Sequence, residues 1–279
     1  VSNQYLHDLY RFFKLSVRRN EFRDIFKEKL DLHHVPALDN LLYCEEELFP
    51  IADFYLSKER WDEAIDIYKE LIEIGGFEGE GAEYYQKFGY ALQKRYAEAI
   101  EAYLKADTLK PDNIWNNRHL ATCYRLNRNY EAALAYYKKV EEATPEASTA
   151  VFYIGSCLAE LGQYEEALNY FFKLDFIESN CVKAWRGIGW CSFISLKYEQ
   201  AMKYYEKIIE HKPLAIDYMN AGHVAWVMGN IQKAAVLYGK AITACGTRER
   251  FLEMFHKDEE PLLKQGIREE DIPLMLDLL

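Results

Sequence analysis

One alanine recurs along this chain at a nearly fixed period: Ala64, Ala99, Ala133, Ala167, Ala201 and Ala234, at spacings of 35, 34, 34, 34 and 33. Three residues before each stands a bulky side chain: Trp61, Tyr96, Tyr130, Tyr164, Tyr198 and Ile231. Four after each stands an aromatic, namely Tyr68, Tyr103, Tyr137, Phe171, Tyr205 and Tyr238, and seven after come Leu71, Ala106, Val140, Leu174, Ile208 and Ala241. Offsets of three, four and seven place side chains on one face of an α-helix, so each set forms an apolar stripe. A chain built on such a period stacks one supersecondary unit after another, because a single unit cannot bury its own apolar face.

Upstream of each alanine lies a second helical stretch with a small residue at one fixed place: Ala52, Gly89, Ala121, Gly155, Gly189 and Gly222. A small residue there lets the paired helices approach closely. Between the two stretches the chain reads Leu161-Gly162-Gln163-Tyr164 or Met228-Gly229-Asn230-Ile231, a helix stop followed by a restart. Pro111, Pro145 and Pro213 end the second stretch. Each unit therefore reads as helix, turn, helix, stop.

This pattern resembles the tetratricopeptide repeat family. The fullest match is Ser148 to Cys181, with Ile154-Gly155, Leu161-Gly162, Tyr164, Ala167 and Phe171, and the resemblance runs over about residues 45–245 as six units. It implies an all-α fold, a right-handed α-solenoid of stacked antiparallel helical hairpins. The domain organisation expected is a degenerate helical pair over 1–44, six tetratricopeptide-like repeats over 45–246, and capping helices over 247–279. In the degenerate pair, Phe22 and Ile25 hold the aromatic and alanine positions. In the cap, Ile272, Leu274, Met275, Leu276, Leu278 and Leu279 are expected to cover the last repeat. Gly89 to Ala99 spans ten residues where Gly155 to Ala167 spans twelve, so the turn at Gln93-Lys94-Arg95 is short or two residues are missing there. The run Gly75-Gly76-Phe77-Glu78-Gly79-Glu80-Gly81 reads as a mobile linker.

Composition narrows the function. With 45 Asp and Glu against 34 Lys and Arg, the net charge is −11. A protein that tracks a nucleic-acid backbone needs a basic face, so nucleic acid is not an expected partner. No run of about 18 apolar residues occurs, and no membrane partner is expected. The chain opens at Val1-Ser2-Asn3 without Met, which reads as a trimmed start, and no targeting segment is visible. Of the six cysteines, Cys123, Cys157 and Cys191 stand 34 apart at one repeat position and read as small packing residues, buried, reduced and free of metal. Free thiols fit a reducing compartment, so a cytoplasmic location is expected.

Catalytic patterns are missing. His33-His34 with Pro36 and Asp39 has no third ligand at metal spacing. Glu45-Glu46-Glu47 and His256-Lys257-Asp258-Glu259-Glu260 read as solvated charge, and the glycines of 75–81 are not followed by the Lys-Ser/Thr of a phosphate loop. The reading is of a non-catalytic chain with no cofactor and no metal.

What remains is an inner stripe. If the recurring small residue is position 8, positions 2, 5, 9 and 12 lie opposite the packed side of the first helix. In the tetratricopeptide family, that stripe lines a concave surface that holds a peptide or a partner helix. Here it carries Trp115, Arg118, Thr122 and Arg125, then Thr149, Phe152 and Ser156, then Lys183, Arg186, Trp190 and Phe193, then Met219, His223 and Trp226. Arg, Lys, Trp and Phe are residues of binding hot spots and carboxylate recognition. The carboxylate clamp of the family's chaperone-binding members is not reproduced: only Lys183 fits it, with Thr122, Ser156 and Trp190 at position 9 and His119, Tyr153 and Gly187 at position 6. The expected function is a protein-interaction scaffold whose partner is a protein or peptide of acidic or aromatic character. The alternative is a ligand-sensing or regulatory segment of a longer multidomain protein. A base-by-base RNA reader fits the acidic balance poorly.

Overall fold

The computed structural model describes residues 2–21, 45–74 and 81–279, and among them every regular element is helical. The pair His33-His34, the positions Phe22 and Ile25, and the glycine run from Gly75 to Glu80 lie outside the described residues. The chain forms two compact units, Val1–Lys139 and Val140–Leu279.

The first unit holds α1 (Ser2–Leu15), α2 (Glu45–Ser57), α3 (Trp61–Ile74), α4 (Gly81–Ala91), α5 (Tyr96–Leu109), α6 (Ile114–Leu126) and most of α7 (Tyr130–Ala143). The second holds the end of α7, α8 (Ser148–Glu160), α9 (Tyr164–Ile177), α10 (Val182–Ile194), α11 (Tyr198–Ile209), α12 (Ala215–Val227) and α13 (Ile231–Cys245). It closes with α14 (Arg248–Phe255), a 3-10 turn at His256–Asp258, α15 (Glu259–Lys264) and α16 (Asp271–Asp277). Within each unit consecutive helices pack on one another, α2 to α6 in the first and α8 to α13 in the second, as the hairpins of the α-solenoid architecture that the period implied.

The packing explains the period. The periodic alanines are fully buried, and so are the aromatic rings four residues on. Where the small residue of the partner helix is glycine, the ring lies against it. A Cβ built on Gly155 would meet the Phe171 ring at 3.0 Å, one on Gly189 the Tyr205 ring at 2.9 Å, and one on Gly222 the Tyr238 ring at 2.5 Å. The short turn keeps this lock. α4 stops two residues after Gly89, where α8 runs on for five past Gly155, yet a Cβ on Gly89 would still meet the Tyr103 ring at 3.0 Å.

The turns share one backbone device. Glu59, Arg128, Gly162, Leu196 and Gly229 all have positive φ, from 56° to 80°. In each case the next residue's N–H donates to the carbonyl five residues back: Arg60 to Tyr55, Asn129 to Tyr124, Gln163 to Leu158, Lys197 to Ser192 and Asn230 to Ala225. This Schellman-type stop satisfies carbonyls that the helix end would otherwise leave open. At the short turn Gln93 takes the positive φ, 44°, and Arg95 N–H donates to Leu92 instead.

After α13 the chain folds back. Gly246 ends that helix at φ 84° and Thr247 caps α14 by accepting from Arg250 N–H. Phe251, Phe255, Leu262, Ile272 and Met275 are buried in one cluster with α12 and α13. Further on, Gln265 accepts from the Tyr198 hydroxyl at 2.8 Å and donates to the Ile194 carbonyl at 3.4 Å, so α14 and α15 cross α12 towards the α10–α11 turn. Of the leucines expected to cover the last hairpin, Leu276 and Leu279 pack on this cluster, but Leu274 and Leu278 are more than 60% exposed. The two phenylalanines of α14, buried in the cluster with α12 and α13, fill that role.

Candidate functional site

In the second unit, α8, α10 and α12 lie in succession and leave a groove of about 550 Å³. Phe152, Tyr153 and Ser156 of α8 form one wall. Lys183, Arg186, Gly187 and Trp190 of α10 run along the middle, and Ile216, Asp217 and Asn220 of α12 form the far wall. Phe171 of α9 supplies the floor, and it is visible from the groove because Gly187 has no side chain. A Cβ on Gly187 would stand 2.6 Å from that ring.

The charges are unevenly placed. Asp217 is buried and accepts two hydrogen bonds from the Arg186 guanidinium, at 2.7 and 2.8 Å, across neighbouring hairpins. Its Oδ2 also accepts from Leu214 N–H at 2.7 Å, which ties the start of α12 to the same carboxylate. Arg186 is thus neutralised inside the protein. Lys183 is exposed at the rim, with its ammonium 5.9 Å from the centroid of the Phe152 ring. Phe152 and Phe171 stand 6.2 Å apart, and Trp190 leans on Phe193 at 5.8 Å. The groove is apolar and aromatic inside, with one cationic group at its mouth.

The structure therefore brings Phe152, Ser156, Lys183, Arg186 and Trp190 together. It corrects four other expectations. Phe193, Met219, His223 and Trp226 are buried, the last two under the helix that follows α13. The Phe255 ring meets His223 edge-on at 5.4 Å and stacks on Trp226 at 6.5 Å. His223 Nδ1 lies 2.8 Å from the Tyr238 hydroxyl, and its Nε2 lies 3.4 Å from Asp258 Oδ2. Burial depresses its proton affinity, against the pull of Asp258.

In the first unit, Trp115, Arg118, Thr122 and Arg125 share α6. Trp115 and Arg118 are exposed. Trp115 sits 3.9 Å from His119 and 6.3 Å from Tyr90. Thr122 and Arg125 turn towards the buried Tyr137 hydroxyl, at 3.1 and 3.5 Å. Burial, helped by Arg118, pushes the His119 pKa down to about 4.

Sequence reasoning missed Gly187, Asn220, Asp217 and Phe171 as groove residues. Position 6 of each unit, which Gly187 and Asn220 hold, is adjacent to the stripe and carried the missing signal. Among the described residues the cysteines are free, and Cys123, Cys157 and Cys191 are buried, with burial raising the thiols of Cys123 to about 11 and Cys191 to about 12.

Models of the tetratricopeptide repeat match residues 48–76, 82–113 and 121–175. Over these residues the chain is built of tetratricopeptide repeats. Solved structures share its fold. One from Parabacteroides merdae aligns with TM-score 0.61 at 21% identity, over 85% of this chain and 98% of that one. YrrB, a repeat protein with an unusual peptide-binding site, aligns with TM-score 0.55 at 22% identity over 68% and 97%. Pseudomonas aeruginosa PilF aligns with TM-score 0.56 at 16% identity over 76% and 97%. No curated protein matches the sequence. Among the described residues of this tetratricopeptide-repeat chain, no helix is long and apolar enough to cross a membrane.

Proposed function

We infer that the chain is a non-catalytic scaffold that holds a peptide segment of a partner protein in the groove of α8, α10 and α12. The observation that carries this is the groove itself: about 550 Å³, walled by Phe152, Trp190, Ile216 and the Phe171 floor, with Lys183 at its mouth. That volume lies in the range of recognition pockets, which are mostly apolar with few fixed polar groups. The peptide-binding site of YrrB supports the same class of function. An aromatic or aliphatic side chain of the partner supplies affinity in the slot, and a carboxylate beside it meets Lys183. The free, buried thiols support a reducing, cytoplasmic setting.

An array of terminally blocked peptides tests the reading. Trp190→Ala should abolish or weaken most of the spots that the native protein gives, and Lys183→Glu should remove the acidic ones. Unchanged patterns in both variants would exclude the groove as the binding site.

A further inference from the structure

The protein already holds a segment against its own inner stripe. On α12, positions 9 and 12 are His223 and Trp226, and Phe255 of α14 packs on both. Three residues later, one helical turn on, Asp258 presents its carboxylate to His223 at 3.4 Å. The internal occupant is thus helical, with an aromatic anchor and an acidic residue at i+3. The open groove begins one hairpin earlier and offers an aromatic at the same position, with a lysine in place of the buried histidine to meet a carboxylate. Trp190 stands at position 9 of α10, beside the ring floor of Phe171, and Lys183 supplies a cation. The Lys183 ammonium is 5.9 Å from the Phe152 ring. Side chains three residues apart on a helix are separated by about 5–6 Å, so one segment reaches both features.

We propose that the open groove takes a short helical segment of a partner protein, anchored by an aromatic side chain between Phe152 and Trp190, with a carboxylate one turn away on Lys183. The proposal rests on the groove being the binding site and adds the conformation and spacing of what binds. Arg186 takes no part in recognition, since Asp217 occupies its guanidinium through two hydrogen bonds. The free stripe does not continue onto His223 and Trp226, which Phe255 covers. The free stretch ends near Asn220.

The experiment titrates the full chain with a blocked synthetic peptide reproducing residues 247–265 and measures binding by calorimetry. Binding is expected, weakened roughly tenfold or more by Phe255→Ala in the peptide, as for an anchor residue. Asp258→Asn in the peptide and Lys183→Glu in the protein should each weaken it about fivefold, more at low salt. Trp190→Ala in the protein should match the anchor loss. Moving the acidic residue from i+3 to i+1 should weaken binding as much as removing it. If the peptide binds equally well to Lys183→Glu and Trp190→Ala proteins, it sits elsewhere, for instance in place of its internal copy, and the proposal is overturned. If it does not bind while arrayed peptides still depend on Trp190, the groove stands and the helical aromatic–acidic pattern falls.

Discussion

Lys183 and Arg186 stand three residues apart on α10, and their surroundings give them opposite duties. Arg186 pairs with the buried Asp217. Removing one partner of a buried pair leaves a charge without compensation, at a cost of about 3–5 kcal/mol. Arg186→Ala should therefore lower stability by about 3 kcal/mol in denaturant melts, whereas Lys183→Ala should change it by less than about 0.5 kcal/mol, as for an exposed side chain. Equal effects would mean the pair is not structural. The turns give a second residue-scale expectation. Leu196 occupies a left-handed position, φ 63°, that Gly162 and Gly229 fill in neighbouring hairpins. Leu196→Gly should raise stability by about 0.5–1 kcal/mol and Gly162→Ala lower it by about 1 kcal/mol, because only glycine adopts that conformation without steric cost. The reverse order in chemical denaturation would contradict the turn assignment. Part of this was legible in the sequence. Helical offsets placed Lys183, Arg186 and Trp190 on one face, but nothing in the sequence links Arg186 to Asp217, 31 residues on in the next hairpin.

At the scale of elements, the small residue and the ring opposite it fix each hairpin. Gly222→Ala would drive a Cβ to 2.5 Å from Tyr238, so it should cost about 1–3 kcal/mol as an overpacked contact, while Gly239→Ala, with open space around it, should not. The returning C-terminal helices form the other decisive element. Phe251, Phe255 and Leu262 are fully buried on α12 and α13. Each such side chain contributes about 1.5–3 kcal/mol on burial. A chain ending at Cys245 should lose more than about 5 °C in melting temperature or aggregate, having bared His223 and Trp226. A truncated protein that melts like the full chain would show that these helices are not part of the packed core. The stripes of α2 to α13 could be read from their period. The fold-back could not, because residues 247–279 carry no repeat to set their phase, and the stripe of α12 looked like groove until Phe255 was seen lying on it.

Over the whole molecule, acid should weaken the fold in a defined window. The ordinary pKa of histidine is about 6.5. Burial lowers His119 to about 4 and also lowers His223. Depressed folded-state values favour the neutral form, so the contribution is complete above about pH 6.5 and is lost as pH falls towards about 4. Melting temperature should drop between pH 7 and pH 5, and the drop should shrink in His119→Gln. An unchanged drop in that variant would remove His119 from the account. The function proposed for the molecule rests on one place, the groove of α8, α10 and α12. An amide NMR footprint of a bound peptide, drawn from the array hits that depend on Trp190, tests it most directly. The account predicts that the shifted resonances centre on Phe152, Lys183, Gly187, Trp190 and Asn220. A footprint centred instead on α9, α11 and α13, with these five residues unmoved, would contradict it.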